Sequence, residues 1–329
     1  MAKPNGHAPV AKPRRRARIV IVGSINMDLV VQVPRLPKPG ETLSGSAFRT
    51  LPGGKGANQA VAIARLGGHA TIIGCVGDDV FGSHLRQGLR SEGVDIRHVA
   101  VIPRSSSGVA VIGVEASGQN SIAIAAGAND RLRPADLRKL ESVIASADAL
   151  LLQLEIPLDT AAAAIRIARR HQVPTVLDCA PVPPDGLPDG FREIDILSPN
   201  QSEATLLTGM PCHTASEAAA IANALIRRYD PGVVVVKMGE LGAVAHAGIG
   251  EPLCSPAFAI DVVDTTAAGD AFTAALTLRL AEGANLGVAM PFACAAGALA
   301  ATRLGAQNSM PKRSEVNRFL KRSTAPSPR

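Results

Sequence analysis

Short runs of branched apolar residues alternate with helix-period stretches over most of the chain, and nothing else in the sequence narrows the fold as much. The alternation is the mark of βαβ units. Their strands are covered on both faces, so they read as continuous apolar runs rather than as an in-out pattern. It predicts buried strands at 18–22, 70–76, 149–154, 175–178, 194–198 and 233–238. Helices are predicted at 57–66, 81–92, 134–146, 158–171, 215–229, 269–282 and 286–302. Asp78 and Asp79 mark one helix entry, Pro134 occupies a tolerated first-turn position, and Asn200 is a candidate N-cap.

Two regions break the rhythm. Segments 28–33 and 44–49 flank a Pro/Gly loop at 34–40, and 109–115 and 121–125 flank a turn at 116–120. These four are short and partly alternating, as half-exposed strands are. They form either one small β layer beside the main sheet or two ordinary surface hairpins. There is no internal repeat, so the expectation is one α/β domain with a lid.

Composition excludes several classes. The net charge of +6 is misplaced for nucleic-acid binding. Residues 1–18 hold six basic side chains and no acid, residues 312–329 hold six against Glu315, and the body between them is net acidic. Aromatics are 2%, with no Trp, which removes a base-stacking platform. The basic ends read as solvated and disordered, residues 1–17 as an extension and 322–329 as a flexible tail. No run of 18 uncharged apolar residues indicates a membrane span. Five widely spaced cysteines with no C-x-x-C suggest neither a disulfide framework nor a zinc site, and reduced thiols fit the cytoplasm.

Four motifs carry chemistry. The run 52–59 contains Gly53, Gly54, Lys55, Gly56, Ala57 and Asn58 and feeds a helix start. Its glycines let backbone amides approach a ligand, and Lys55 and Asn58 suit a hydroxyl-rich one. It is neither a Walker A loop nor a dinucleotide fingerprint, and a plain tight turn weighs about equally. The run 264–270 holds Asp264, Thr266, Ala267, Ala268, Gly269 and Asp270. Small residues there leave amides open at a helix start, an anion site by charge and dipole. Asp270 at its edge either caps the helix or takes a proton from an attacking alcohol. Lys237, Met238, Gly239, Glu240, Leu241 and Gly242 follow a strand and read as a nucleotide contact or a hairpin turn. Asn200 and Glu203 share one helical face, as water-mediated Mg²⁺ ligands or as a capping box.

The first two runs resemble the paired signatures of the PfkB family of carbohydrate kinases, and within it the ribokinase branch. The segments 23–28, 127–129, 153–155, 199–200 and 305–307 fall in the same order, so the resemblance covers about residues 18–321. It implies a ribokinase-like fold: a central, mostly parallel sheet flanked by helices, with a small β-sheet lid through which members commonly dimerise. It implies that ATP phosphorylates D-ribose at O5. Asp270 would be the general base, with the amides of Ala267, Ala268, Gly269 and Asp270 as anion hole. Asn26, Met27, Asp28, Gly54, Lys55, Gly56, Ala57, Asn58 and Glu155 match sugar positions. Asn200, Lys237 to Gly242, Gly269, Asp270 and Cys294 match nucleotide positions. Glu203 matches the Mg²⁺ position. Asp264, Thr266, Ala300, Arg303, Gly305 and Ser309 match those of an activating K⁺.

Other readings are a kinase for deoxyribose, a nucleoside, fructose or a sugar acid, or a non-catalytic sugar-binding scaffold. Asp28 disfavours an acidic substrate, because an anion near a buried carboxylate is costly. A dehydrogenase fails for want of a G-x-G-x-x-G after any predicted strand.

Overall fold

The computed structural model describes residues 15–115 and 119–323. The first part runs β1 (Arg18–Val22), β2 (Asn26–Val33), β3 (Ala47–Gly53), α1 (Lys55–Arg65), β4 (His69–Gly77), α2 (Val80–Ser91), β5 (Asp95–Ile102), β6 (Gly108–Glu115) and β7 (Asn120–Ala125). The middle runs α3 (Pro134–Lys139), α4 (Glu141–Ala145), β8 (Ala149–Leu152), α5 (Leu158–Arg170), β9 (Thr175–Leu177), β10 (Ile196–Leu197), α6 (Gln201–Thr208) and α7 (Ala215–Tyr229). The last part runs β11 (Val233–Lys237), β12 (Ala243–His246), β13 (Leu253–Ser255), α8 (Ala268–Ala281), α9 (Leu286–Ala301) and α10 (Arg313–Ser323).

Nine strands form the main sheet in the order β13-β12-β11-β10-β9-β8-β1-β4-β5. Pairing is parallel from β11 to β5, and only the β11–β12 and β12–β13 pairs are antiparallel. Successive side chains of a strand point to opposite faces. Ile19 and Ile21 therefore join a core under α1, α8 and α9, while Val20 and Val22 join a second core under α5 and α7. Both faces are covered, which is why the parallel strands read as unbroken apolar runs.

The four irregular segments form one sheet, β3-β2-β6-β7. Two antiparallel pairs are joined by a parallel contact in which Asn26 lies opposite Gly108. The hairpins are thus one layer. It leaves large apolar side chains open, with Phe48 61% and Ile122 53% exposed.

Several expectations are corrected. The helix predicted at 134–146 is two, because the turn tightens at Leu140, whose amide donates to Leu137 O at 3.0 Å. Strand β5 was not predicted: it lies at the sheet edge, with charged side chains interrupting its apolar ones. The short antiparallel strands β12 and β13 also went unpredicted. The basic stretch from 312 is not a solvated end as far as Ser323. It is a helix that buries Val316, sets the Phe319 ring 5.1 Å from Phe258, and pairs Glu315 with Arg303 at 2.6 Å. Within the N-terminal extension, Arg15 pairs with Asp148 at 2.6 Å. Residues 1–14, 116–118 and 324–329 lie outside the described residues, and with them the expectations placed there. Among the described residues, no helix is long and apolar enough to cross a membrane.

Candidate active site

Parallel sheets bind ligands beyond the carboxyl ends of their strands. Here those ends deliver Asp178 after β9, Gln153 and Glu155 after β8, Asn200 after β10, and Lys237 at the end of β11. The helices α1 and α8 start at the same edge. Gly54 precedes α1 with φ 86°, and a Cβ there would stand 2.7 Å from the Asn26 amide, so this turn needs glycine. Ala267 precedes α8 with φ 59°, a left-handed conformation uncommon for alanine. Non-glycine backbone of this kind tends to gather at functional sites.

Asp270 lies in the first turn of α8, 5% exposed. Asn58 Nδ2 donates to its Oδ2 at 2.9 Å, and Gln59 Nε2 donates to its Oδ1 at 3.0 Å. Gln59 Nε2 also donates to Asp178 Oδ2 at 2.9 Å, and its Oε1 accepts from Gln153 Nε2. One buried amide thus bridges two carboxylates. The Ala268 amide is taken by Thr265 O at 3.2 Å. This corrects the four-amide anion hole: among the described residues, the amides of Ala267, Gly269 and Asp270 have no protein acceptor, and that of Ala268 does.

Burial pushes the Asp270 carboxyl up, with the Asp178 charge adding to it, against the opposing pull of Lys55, Asn58 and Gln59. For Lys55, burial works to lower the ammonium. Asp270, Asp178, Glu155 and Glu203 together outweigh that and hold it charged.

On the lid side, Asn26 and Asp28 share one face of β2, and the strand period turns Met27 into the core, 2% exposed. Met27 therefore has no side chain to offer a sugar. Ala57 is likewise corrected: its methyl is in the core and its amide donates to Ser24 O at 2.9 Å. Asn26 Oδ1 accepts from Asn129 Nδ2 at 2.7 Å, and Glu155 accepts from Ser24 Oγ and the Lys55 amide. The Gly56 amide reaches Ser24 Oγ at 3.4 Å. Asp28 is pushed up to about 7 by burial, then by Glu155 and Asp270. A Cβ at Gly53 would collide with its carboxylate. Asn58 Oδ1 is buried without a partner, an acceptor waiting for a hydroxyl.

Beside Asp270 opens a polar cavity of ≈ 350 Å³ walled by Lys55, Asp178, Asn200, Glu203, Lys237 and Gly269 among others. It shares Gln201, Lys237, Gly239, Thr265 and Gly269 with a larger, more apolar cleft of ≈ 880 Å³, which Glu240, Gly242, Phe258, Phe272 and Cys294 also line. Charged groups thus stand at one end and flat apolar walls at the other, the polarity of a nucleotide. The Met238 side chain is buried against Cys212, 3.6 Å sulfur to sulfur, and its amide donates to Gly242 O at 2.8 Å. Leu241 is half exposed and lines neither space. Cys294 Sγ lies 3.6 Å from Ser255 Oγ, and burial raises its thiol.

Asn200 and Glu203 form a full capping box: Glu203 accepts from the Asn200 amide at 2.7 Å and Asn200 Oδ1 accepts from the Glu203 amide at 2.9 Å. Glu203 nonetheless faces the polar cavity, where burial raises its carboxyl. Among the described residues, no three His, Cys, Asp or Glu side chains gather as a metal cluster. Three carboxylates against two ammonium groups on the cavity wall still fit a divalent ion that keeps its waters and shares phosphate oxygens. Behind α8, Asp264 accepts from the Thr266 amide and from the Gly305 amide, each at 2.9 Å. Although burial would raise it, those bonds hold it below the ordinary range. The clamp ties the 264–266 turn to the loop after α9, which carries Arg303 and Gly305, beside Ala300 in the last turn of that helix. The Arg303 side chain is engaged by Glu315, so only its carbonyl is available. Ser309 Oγ donates to Ala306 O at 2.7 Å. A hard-oxygen set of carbonyls and one carboxylate fits a monovalent cation.

Sequence reasoning did not assign Gln59, Asn129 or Asp178 to the site. Asp178 had one available signal, an acid at the carboxyl end of a predicted parallel strand.

The pfkB family carbohydrate kinase pattern matches residues 16–313. The chain is 39% identical over 308 residues to the ribokinase of Haemophilus influenzae, covering 93% of this chain and 99% of that one. It is 36% identical over 304 residues to the deoxyribokinase of Salmonella typhi, covering 92% and 98%. It superimposes on the structure of Arabidopsis thaliana ribokinase complexed with ribose and ATP with a TM-score of 0.86 at 35% identity, covering 93% and 99%.

Proposed function

We propose, from the premise that this chain belongs to the pfkB family of carbohydrate kinases, that it transfers the terminal phosphoryl group of ATP to O5 of D-ribose. The products are D-ribose 5-phosphate and ADP. The observation that carries this reading is a buried carboxylate, Asp270, set between an unpartnered sugar-side acceptor, Asn58 Oδ1, and open amides at a helix start.

Asp270 takes the proton as O5 attacks the terminal phosphorus and the bond to the bridging oxygen of ADP breaks. Its raised basicity suits that role. Asn26, Asp28, Lys55, Asn58 and Glu155 hold the sugar hydroxyls, and a site built for hydroxyls rejects ligands that lack them. The amides of Gly269 and Asp270 face the charge spread over the phosphoryl oxygens. The lid sheet excludes water, which would otherwise compete as acceptor. Asn200 and Glu203 would hold Mg²⁺ through water, and the ion supplies charge neutralisation to the phosphates. The carbonyls of Thr266, Ala300, Arg303 and Gly305, with Asp264 and Ser309, would hold K⁺ and stiffen the turn beneath the anion hole.

Residues 18–321 make up the kinase domain in this reading. The exposed Ile122 and Ile124, which share one face of the lid, support a homodimer formed through lid strands. Five free cysteines, four of them buried, suit a cytoplasmic enzyme.

ADP release measured with ribose, deoxyribose, fructose and nucleosides, with and without K⁺, tests the substrate. Ribose is expected to be turned over most efficiently and to be stimulated by K⁺. A preference for deoxyribose would replace the substrate, and no turnover with any sugar would leave a binding scaffold. Asp270→Asn is expected to lower kcat by about 100-fold or more with the fold intact, the scale of general-base loss.

A further inference from the structure

The buried Lys237 is more than a strand end. Its Nζ donates to Asp178 Oδ1 at 2.7 Å and lies 3.4 Å from Thr273 Oγ1. An ammonium has three donors, and this one has one short bond and one long one. The side chain walls both the polar cavity and the apolar cleft, where the two meet. A Cβ built on Gly269 would stand 3.8 Å from Nζ, so the charge sits beside the open amides at the start of α8.

Stability alone does not account for that placement. Buried ion pairs are weak stabilisers, because desolvation offsets most of their attraction, and an apolar pair of similar volume often serves as well. This pair is set into a cavity wall that already holds Glu203 and Asp270. A polyphosphate entering there meets carboxylates, and it needs cationic donors at its terminal group.

We infer that Lys237 is a further catalytic group: its ammonium, held in place by Asp178, contacts the terminal phosphate of a nucleoside triphosphate seated at the α8 amides and stays with it through transfer. The inference rests on the ATP-dependent reading above and deepens it. Asp178 is the positioning residue, and it also holds Gln59, which in turn orients Asp270. The nucleotide end and the sugar end of the reaction are therefore tied together by one buried carboxylate.

The test uses the full chain, Lys237→Met, and the double variant Lys237→Met with Asp178→Asn, which removes both charges at nearly constant volume. ATP and ADP affinities are measured with Mg²⁺ and without sugar, and melting temperature and kcat alongside. Lys237→Met alone is expected to melt lower, because it leaves Asp178 buried and unpaired. The double variant is expected to regain most of the melting temperature. In both, kcat falls about 100-fold, as for loss of one transition-state donor, and ATP affinity falls about tenfold while that for ADP changes little. A double variant that melts like the wild type and turns over within about threefold of it, or an unchanged ATP-to-ADP affinity ratio, overturns the inference. A wild type inactive on ribose, whose preference for ATP is still lost in these variants, would sink the ribose reading and keep this one.

Discussion

The two sheets of this protein solve the same problem in opposite ways. In the main sheet both faces are covered, and at its centre Ile19, Ile21, Leu150 and Leu151 are fully buried. In the lid, β7 is exposed along its whole length and Ile122 and Ile124 lie open. The first is rigid enough to hold ionised groups at fixed distances in a dry place. The second buries little of itself and has surface left for a ligand or a partner.

The largest contrast between them is in stability. Leu151→Ala, in β8, is expected to cost about 2–5 kcal/mol, read from denaturant unfolding. A loss below about 1 kcal/mol would mean that the central strand contributes no more to the core than a surface strand does. A subtler boundary lies where the two sheets meet. Gly53→Ala drives a methyl into the Asp28 carboxylate, and it is expected to raise the KM for sugar about tenfold with kcat less affected, the split that marks lost ground-state binding.

Asp28 also gives that boundary a pH dependence. Its folded carboxyl is raised from 3.8 to about 7, by burial first and then by Glu155 and Asp270. Between those values the folded chain keeps a proton that the unfolded chain has released, so stability falls as pH rises through the window and is flat in this respect on either side. Asp28→Asn is expected to flatten the slope between about pH 4 and 7 in thermal unfolding of the sugar-free protein, and an unchanged slope would show that Asp28 is charged throughout. The smallest effect belongs to the lid surface. Ile122→Asp should change the unfolding free energy of the monomer by no more than about 0.5 kcal/mol, yet convert a dimer to monomers in sedimentation. A wild-type chain already monomeric at assay concentrations would leave the open face to the sugar side alone.

Legibility followed burial. Strands covered on both faces, such as β1, were readable to the residue, because a continuous apolar run of that length between turn residues fits little besides a buried strand. The edge strand β5 was not, since its outward side chains are charged and its period is mixed. Short β12 and β13 carry too few residues for any period to emerge. Among site residues, Asp270 and Lys55 stood out because each sits in a run of glycines or small residues that opens a helix. Met27 and Ala57 were drawn in by adjacency, whereas a strand or helix sends neighbouring side chains in different directions. Gln59 and Asp178 are ordinary polar residues until the fold sets them against each other.

The order of residues alone determined the parallel α/β architecture, the two small-residue turns that open helices and the four irregular segments, while the structure decided that these four join into one sheet. The former are local matters: period, turn chemistry and the shape of a helix start. Tertiary structure alone decided which amides stay open, that one glutamine bridges two acids distant in the chain, Asp178 and Asp270, and that Lys237 faces a cavity rather than a core. Desolvation and charge coupling act through space, so no reading along the chain contains them.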